Sequence, residues 1–98
     1  MNDTPLVSFI IASYNYERFI PVTIKSILEQ SVQDFEIVVI DDASTDGSPA
    51  VIRSFSDQRI RFYINQTNLG PSSTYNRGAA LARGKYITYL DADRKSVV

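Results

Sequence analysis

Two short runs of mostly β-branched apolar residues, 7–11 and 35–40, constrain the fold of this chain more than any other feature of its sequence. Neither run alternates cleanly between apolar and polar residues, which is typical of strands that are covered on both faces. Between the two runs, Ile20, Ile24 and Ile27 follow a helical spacing that forms one apolar stripe. A strand, a helix and a second strand predict a right-handed βαβ unit in a parallel sheet that carries helices on both faces.

The rest of the chain continues this alternation of helices and strands. Residues 48–49, Ser-Pro, suit the N-cap and first position of a short helix, and residues 59–64 alternate cleanly, as a half-exposed strand at a sheet edge does. A third helix over residues 71–83 would end at Gly84, a capping glycine, and a last strand would cover residues 85–90. The order β-α-β-α-β-α-β predicts one α/β domain with three layers, α/β/α, and a mostly parallel, Rossmann-like sheet.

The composition excludes several kinds of chemistry. The chain has no cysteine and no histidine, so it can build neither disulfides, nor thiolate or histidine metal sites, nor a Ser-His-Asp triad. Any metal must therefore bind to oxygen ligands. Because the net charge of −1 provides no basic surplus, we expect no nucleic-acid partner.

The sequence also bears on location. The first residues have no basic n-region, and no apolar run reaches the length of a transmembrane helix. We expect a cytoplasmic protein, and a membrane anchor beyond residue 98 would place a full-length parent protein at the inner face of the membrane.

Polar residues gather where the predicted strands end. The first strand leads into Ser13-Tyr14-Asn15, the second into Asp41-Asp42, and the last into Asp91-Ala92-Asp93. In an open parallel sheet, ligands bind outside the carboxyl ends of the strands, near the point where the strand order reverses. The sequence therefore predicts a ligand site at this end of the sheet.

Asp91 and Asp93 predict a divalent cation in that site. Residues i and i+2 of an extended backbone project to the same face, and two neighbouring carboxylates repel each other unless a proton or a cation lies between them. Hard oxygen ligands of this kind suit Mg²⁺ or Mn²⁺. A solvated turn would give the same short pattern, but the position after a buried strand and opposite Asp42 favours the metal site.

Asp41, Asp42 and Tyr14 also have simpler interpretations. An acid before a helix can form a capping turn, which accounts for Asp41 but does not require Asp42 as well. An acid at the end of the second strand is also where nucleotide-binding sheets place a contact to a ribose or base. Tyr14 is either a strand-end aromatic residue or a face on which a base stacks. No G-x-G-x-x-G and no G-x-x-x-x-G-K-[ST] occurs in the chain, which disfavours a dinucleotide site and a P-loop.

Taken together, these segments resemble the family 2 glycosyltransferases, inverting enzymes with the GT-A fold that use nucleotide-diphosphate sugars. The resemblance runs from about residue 6 to residue 93, with its motifs in the family's order. The motifs are the opening strand (7–15), the end of the first helix (26–31), the second strand with its turn (35–47), Asn68-Leu69-Gly70 followed by Asn76 and Gly78, and the last strand with its acids (84–93). The resemblance implies that residues 1–93 are the N-terminal, nucleotide-sugar-binding part of a GT-A domain.

The resemblance implies a role for residues at each strand end. The backbone of Ala12 and Ser13 and the ring of Tyr14 would border the nucleobase, while Asp42 would contact the base or its ribose. Asp91 would lie near the ribose.

Two further residues complete the implied site. Asn76 would belong to the nucleotide-sugar-binding set, and Asp93 would ligate the Mn²⁺ or Mg²⁺ ion that bridges the diphosphate. The implied reaction is displacement at the anomeric carbon by an acceptor hydroxyl group, with inversion, while the cation offsets the charge on the leaving nucleotide. The implied donor is a UDP-sugar, the acceptor a glycan or a lipid-linked molecule, and the pathway polysaccharide or cell-envelope glycan synthesis.

The sequence departs from the family pattern within the matched region. Ala12 stands where many relatives carry proline. Tyr75 stands where they often carry arginine, immediately before Asn76. Arg77 lies two residues further on, so on a helix it would point elsewhere.

The last residues depart as well. Residues 94–98, Arg-Lys-Ser-Val-Val, do not continue the family pattern, and the family's catalytic base, a carboxylate of the second half, is not in this sequence. We therefore expect the chain to be a fragment whose tail, 94–98, is truncated or non-native. We expect this fragment to bind a donor without turning it over.

Two other functions stay open on the residues alone. A non-catalytic nucleotide-binding module would bind the same ligand without transferring a sugar. A nucleotidyltransferase also combines an α/β sheet with acidic metal ligands, but such enzymes carry a glycine-rich, basic loop after the first strand, and residues 13–18 contain no glycine.

Overall fold

The computed structural model describes residues 4–91 of the 98-residue chain. In chain order the elements are β1 (Val7–Ser13), α1 (Ile20–Leu28), β2 (Phe35–Asp41), α2 (Ser48–Arg53), β3 (Ile60–Ile64), α3 (Pro71–Leu81) and β4 (Tyr86–Asp91). No helix within residues 4–91 is long and apolar enough to cross a membrane. Asp93 and the segment 94–98 lie outside the described residues, so what was predicted for them stays a prediction.

The four strands form one parallel sheet in the order β3-β2-β1-β4. The predicted α/β fold is therefore confirmed, and β3 lies at an edge of the sheet as expected. The strand order reverses beside β1, whose neighbours are β2 and β4. The register places Ser13 opposite Asp41 and Ala12 opposite Asp91. Parallel pairing thus brings the polar ends of three strands to one end of the sheet.

Helices cover both faces of the sheet. On one face, α1 and α2 pack against a cluster of buried strand residues: Phe9, Ile11, Ile37 and Val39. On the other face, the α3 region packs against Ile10, Val38 and Ile40. Every residue of β2 is buried, which explains why its sequence is an almost continuous apolar run rather than an alternating one.

One predicted helix start is wrong by one residue. We expected Ser48 to be the N-cap of α2, but Gly47 occupies that position and Ser48 is already helical. The reason is Asp46, whose Oδ1 accepts the backbone N–H of Ser48 at 2.9 Å. The side chain that caps this turn therefore comes from the loop two residues earlier.

The predicted end of α3 at Gly84 is also wrong. The helix ends at Leu81, and Ala82 is already extended, with φ −68° and ψ 142°. Gly84 is required instead by a close approach, because a Cβ atom there would lie 2.6 Å from the backbone nitrogen of Ser8. The glycine lets the chain pass against β1 before β4 begins.

Gly78 allows α3 to lie close to the sheet. It is buried, and a Cβ atom at this position would clash with Cγ2 of Ile10 in the middle of β1. A helix that packs through glycine can bring its backbone nearer to the strand than any other residue would allow. Because α3 carries residues of the site described below, this contact sets their distance from β1.

Glu36 holds the amino ends of the strands together. It is 2% exposed, and its carboxylate accepts hydrogen bonds from Ser8 Oγ at 2.6 Å, from Arg61 Nη1 at 2.8 Å and from the backbone N–H of Arg83 at 2.6 Å. Burial raises the pKa of Glu36, but these hydrogen bonds and the charge of Arg61 together hold it below its usual value. Glu36 therefore remains a charged link between β1, β3 and the segment before β4.

We predict that Gly78→Ala destabilises the chain by about 1–3 kcal/mol, because the added methyl group overpacks against Ile10. Urea denaturation followed by circular dichroism measures this change. Ser73→Ala is the matched control, since Ser73 is exposed on the same helix. Equal stability of the Gly78→Ala chain and the wild type would contradict the packing argument.

We also predict that part of the acid sensitivity of the fold comes from Glu36. Its folded-state pKa is lowered, so the stability it contributes is present above its unfolded value of about 4.3 and is lost as the pH falls below it. Glu36→Gln should lower stability by about 2 kcal/mol at pH 7 and flatten its decline below pH ~4.5. Urea denaturation at several pH values tests this, with Glu29→Gln as an exposed control. If the stabilities of Glu36→Gln and Glu29→Gln fall in parallel as the pH is lowered, the prediction is refuted.

Candidate functional site

A cavity of about 270 Å³ opens at the carboxyl ends of β1, β2 and β4. It lies where the strand order reverses, as predicted for a parallel sheet. The residues that line it come from the three strand ends and from the start of α3: Ala12, Ser13, Tyr14, Tyr16, Asp42, Asn68, Gly70, Pro71, Thr74 and Asp91.

The end of β1 forms the floor and rim of the cavity. Ala12 is half-buried and Tyr14 is 41% exposed, so the side chain of Tyr14 lines the cavity and is partly open to solvent. Ser13 is fully buried, and its carbonyl oxygen accepts the backbone N–H of Asp42 at 2.8 Å. Within residues 4–91 its hydroxyl group has no hydrogen-bond partner.

Asn15 fixes the loop that carries Tyr14. Its backbone is in the left-handed region, with φ 56°, which asparagine tolerates better than most residues. Its side-chain oxygen accepts the backbone N–H groups of Thr45 at 2.8 Å and Asp46 at 3.2 Å, and its own N–H donates to Ser44 Oγ at 2.9 Å. The loops after β1 and β2 are thereby joined, which makes this wall of the cavity rigid.

Asp41 and Asp42 accept hydrogen bonds from different segments of the chain. Asp41 accepts the backbone N–H of Ser44 at 2.8 Å and its hydroxyl group at 2.6 Å, so the interpretation of Asp41 as a turn-forming acid is confirmed. Asp42 points the other way, towards the loop before α3. The sequence predicted that the turn needs only one of the two acids, but not that Asp42 contacts the loop before α3.

The carboxylate of Asp42 organises the loop before α3. It is 5% exposed. Oδ1 accepts the N–H of Leu69 at 2.8 Å and Nδ2 of Asn65 at 2.9 Å, and Oδ2 accepts the N–H of Gly70 at 2.9 Å. Burial raises the pKa of Asp42, but these hydrogen bonds outweigh it and keep the pKa below its ordinary value. Asp42 is therefore a fixed negative charge whose oxygens are largely occupied.

Asn65 donates a hydrogen bond to Asp42, and sequence analysis missed this residue. Its Nδ2 also donates to Thr74 Oγ1 at 3.1 Å, while its Oδ1 accepts from Arg77 Nη1 at 2.6 Å. The arginine therefore fixes which end of the amide faces Asp42. The expectation that Arg77 points elsewhere on α3 is confirmed, since its guanidinium group also lies 5.7 Å from the ring of Tyr63. The signal that could have identified Asn65 was its position directly after the predicted third strand.

The start of α3 was also missed as part of the site. Gly70 has φ 89°, a conformation that favours glycine, and Pro71 follows it as the first helical residue. Together with Thr74 they line the cavity. Sequence analysis interpreted this segment as a helix start and as part of a family motif, but named neither Gly70 nor Pro71 as a site residue.

Asp91 ends β4 and lines the cavity as an exposed carboxylate. The hydroxyl group of Tyr75 lies 3.1 Å from its Oδ1 and 2.8 Å from the carbonyl oxygen of Leu90. The residue that stands in place of the family's arginine thus contacts Asp91 directly. Asp91 differs from Asp42 in that its charge faces solvent and is open to a ligand.

One predicted site residue does not line the cavity, and another lies outside the described residues. Asn76 is exposed on α3 and is not among the cavity residues, so its role stays a prediction. Asp93 lies outside residues 4–91. Those residues hold no cluster of three or more metal-binding side chains, but the exposed carboxylate of Asp91 is a hard oxygen donor of the kind that Mg²⁺ and Mn²⁺ take.

Known proteins share both the sequence and the fold. The chain is 36% identical over 96 residues to the putative teichuronic acid biosynthesis glycosyltransferase TuaG of Bacillus subtilis, and the match covers 96% of this chain and 38% of that protein. It superposes with a TM-score of 0.85 and 28% identity on S. aureus TarS 1-349 in complex with UDP-GlcNAc, over 90% of this chain and 26% of the TarS 1-349 chain. The mannosyltransferase PcManGT from Pyrobaculum calidifontis, in complex with GDP-Man and Mn²⁺, gives a TM-score of 0.84 and 29% identity over 92% of this chain and 28% of that one.

The match is to one part of longer proteins. The chain spans between about a quarter and two fifths of the length of the three matched chains. The sequence profile of glycosyl transferase family 2 matches residues 8–94, which is almost the whole chain. The strands, the cavity at their carboxyl ends and this profile agree, and the chain belongs to glycosyl transferase family 2.

Proposed function

We propose that this chain binds a nucleotide-diphosphate sugar, with a UDP-sugar as its donor, as the donor-binding part of an inverting, metal-dependent glycosyltransferase. The observation that carries the proposal is the cavity at the reversal of strand order, which Tyr14, Asp42 and Asp91 line from three different strand ends. Family membership supports the reaction class. The complexes of TarS with UDP-GlcNAc and of PcManGT with GDP-Man support the class of donor.

The nucleoside would lie against the rigid wall of the cavity. Tyr14 is 41% exposed, and a base of any identity could stack on its ring. The carboxylate of Asp42 has about four lone-pair directions, and three hydrogen bonds from the chain occupy most of them. Asp42 would therefore contact the base or ribose with little free acceptor capacity, and would act mainly through the loop that it holds.

The diphosphate would lie at the end of β4, with a divalent cation. Asp91 is an exposed carboxylate of the cavity that would lie near the ribose and beside the cation, and Asp93, two residues on, would ligate the Mn²⁺ or Mg²⁺ ion. PcManGT, whose fold this chain shares, forms a complex with both GDP-Man and Mn²⁺, which supports this proposal. A cation at this position would act as a Lewis acid that offsets negative charge on the leaving nucleotide.

The sugar would be transferred to a hydroxyl group of a glycan or lipid-linked acceptor. Inversion requires attack on the side of the anomeric carbon opposite the nucleotide, and a base to take the proton of the hydroxyl group. We assign neither the base nor the acceptor site to residues of this chain. Similarity to a teichuronic acid biosynthesis enzyme supports polysaccharide synthesis as the pathway class.

We predict that the 98-residue chain binds UDP and that Mn²⁺ strengthens this binding by about tenfold or more, since a cation between diphosphate and carboxylates removes their mutual repulsion. Isothermal titration of the chain with UDP, with Mn²⁺ and with EDTA, measures both affinities. Asp91→Asn/Asp93→Asn is the matched variant and should abolish the difference. A folded chain, verified by circular dichroism, that shows no Mn²⁺-dependent affinity for UDP would contradict the proposal.

We further predict that Asp42→Asn lowers stability by about 1–3 kcal/mol and weakens UDP binding by about tenfold. The new amide group would direct its own N–H atoms at the backbone N–H of Leu69 or Gly70, so at least one buried donor loses its acceptor. Urea denaturation and UDP titration test the two effects. Asp34→Asn, an exposed substitution at the opposite end of the sheet, should change neither; a variant as stable as the wild type would show that Asp42 does not hold the loop.

A further inference from the structure

Tyr75 connects α3 to the end of β4. It lies in the second turn of α3, and its hydroxyl group is within hydrogen-bond distance of both the carbonyl oxygen of Leu90 and Oδ1 of Asp91. A phenol has a single proton, so the two acceptors share one donor. The hydroxyl group therefore ties the Asp91 side chain to the backbone of its own strand.

The ring of Tyr75 is held in place by packing. It is half-buried against the cluster of Ile10, Val38 and Ile40. It also contacts the ring of Tyr89, at a centroid distance of 5.4 Å and an interplanar angle of 85°, an edge-to-face contact. The ring cannot swing away without losing these contacts, so the position of its hydroxyl group is set by the core.

Tyr75 acts on the cavity through Asp91. Asp91 lines the cavity, whereas Tyr75 is not among the residues that do. We infer that Tyr75 is a positioning residue for donor binding: its hydroxyl group holds Oδ1 of Asp91, so that this carboxylate stays directed at the diphosphate side of the cavity. This inference rests on the proposed function, because it assumes that a nucleotide diphosphate occupies the cavity.

The hydroxyl group of Tyr75 is a neutral hydrogen-bond donor, and this affects how Asp91 can bind a cation. A guanidinium group at the same place would offer Asp91 a bidentate ion pair and would compete with a metal ion for the carboxylate. A phenol restricts the orientation of Asp91 but leaves its negative charge uncompensated. We therefore expect the contribution of Tyr75 to appear in the cation-dependent part of nucleotide affinity.

Tyr75→Phe tests the inference, because it removes the hydroxyl group and keeps the ring. Isothermal titration of the full chain with UDP, with Mn²⁺ and with EDTA, should show binding weakened about three- to tenfold in Mn²⁺, the effect of one lost hydrogen bond. Binding in EDTA should change less. Tyr89→Phe is the matched control, since it removes a hydroxyl group from the other ring of the pair, and its affinities should equal those of the wild type.

Combining Tyr75→Phe with Asp91→Asn separates positioning from a general structural effect. If Tyr75 acts through Asp91, the Phe substitution should change UDP affinity by less than about twofold when Asp91→Asn is already present. An equal loss of UDP affinity in the wild-type and Asp91→Asn backgrounds would overturn the inference. If the wild-type chain binds UDP and Tyr75→Phe binds it equally tightly, the inference is overturned as well. A folded wild-type chain without affinity for UDP would overturn the proposed function itself, and the role of Tyr75 with it.

Discussion

The arrangement of this chain depends on β1, which pairs in parallel with β2 on one side and with β4 on the other. Parallel pairing fixes which residues of the three strands end together, and the register puts Ala12, Asp41 and Asp91 close to one level. A shift of one residue in either pairing would turn the side chains at that strand's end to the opposite face. The cavity is therefore a consequence of register, and the register is secured by the buried apolar residues on both faces of β1.

Glu36 near the start of β2 and Asp42 immediately after its end are both buried carboxylates. The chain satisfies their hydrogen-bonding needs in different ways. Glu36 receives charged partners, Arg61 and Arg83, together with a hydroxyl group. Asp42 receives backbone N–H groups and an amide. A buried charge left without partners would cost several kcal/mol, so each network also restricts the segment that supplies it. Glu36 restrains the segment before β4 and Asp42 restrains the loop before α3, and both segments lead directly into elements that border the cavity.

The sequence predicted the strands, their parallel arrangement and the location of the site, because these follow from apolar patterning and from the position of acids after strands. It did not predict the partners of those acids. Nothing in the spacing of Asn65, Thr74 and Arg77 shows that they form one hydrogen-bonded chain behind Asp42, since the three residues come together only when α3 folds back over the sheet. The misplaced end of α3 has a similar cause: Gly84 looks like a capping glycine locally, yet a tertiary contact with Ser8 requires it.

The acids at the strand ends differ in how much they can respond to a ligand. Asp41 and Asp42 are buried; Asp41 accepts hydrogen bonds from its own turn and Asp42 from the loop before α3, so a ligand cannot reorient either acid without breaking these bonds. Asp91 is exposed, and Tyr75 restricts the orientation of its Oδ1 without neutralising its charge. The strand ends therefore combine two acids occupied by the fold with one acid that is held in place but whose charge is available to a ligand. Such a division would suit the proposed donor site, because preorganised dipoles cost no reorganisation when a ligand binds and a carboxylate held in one orientation is ready to meet a cation.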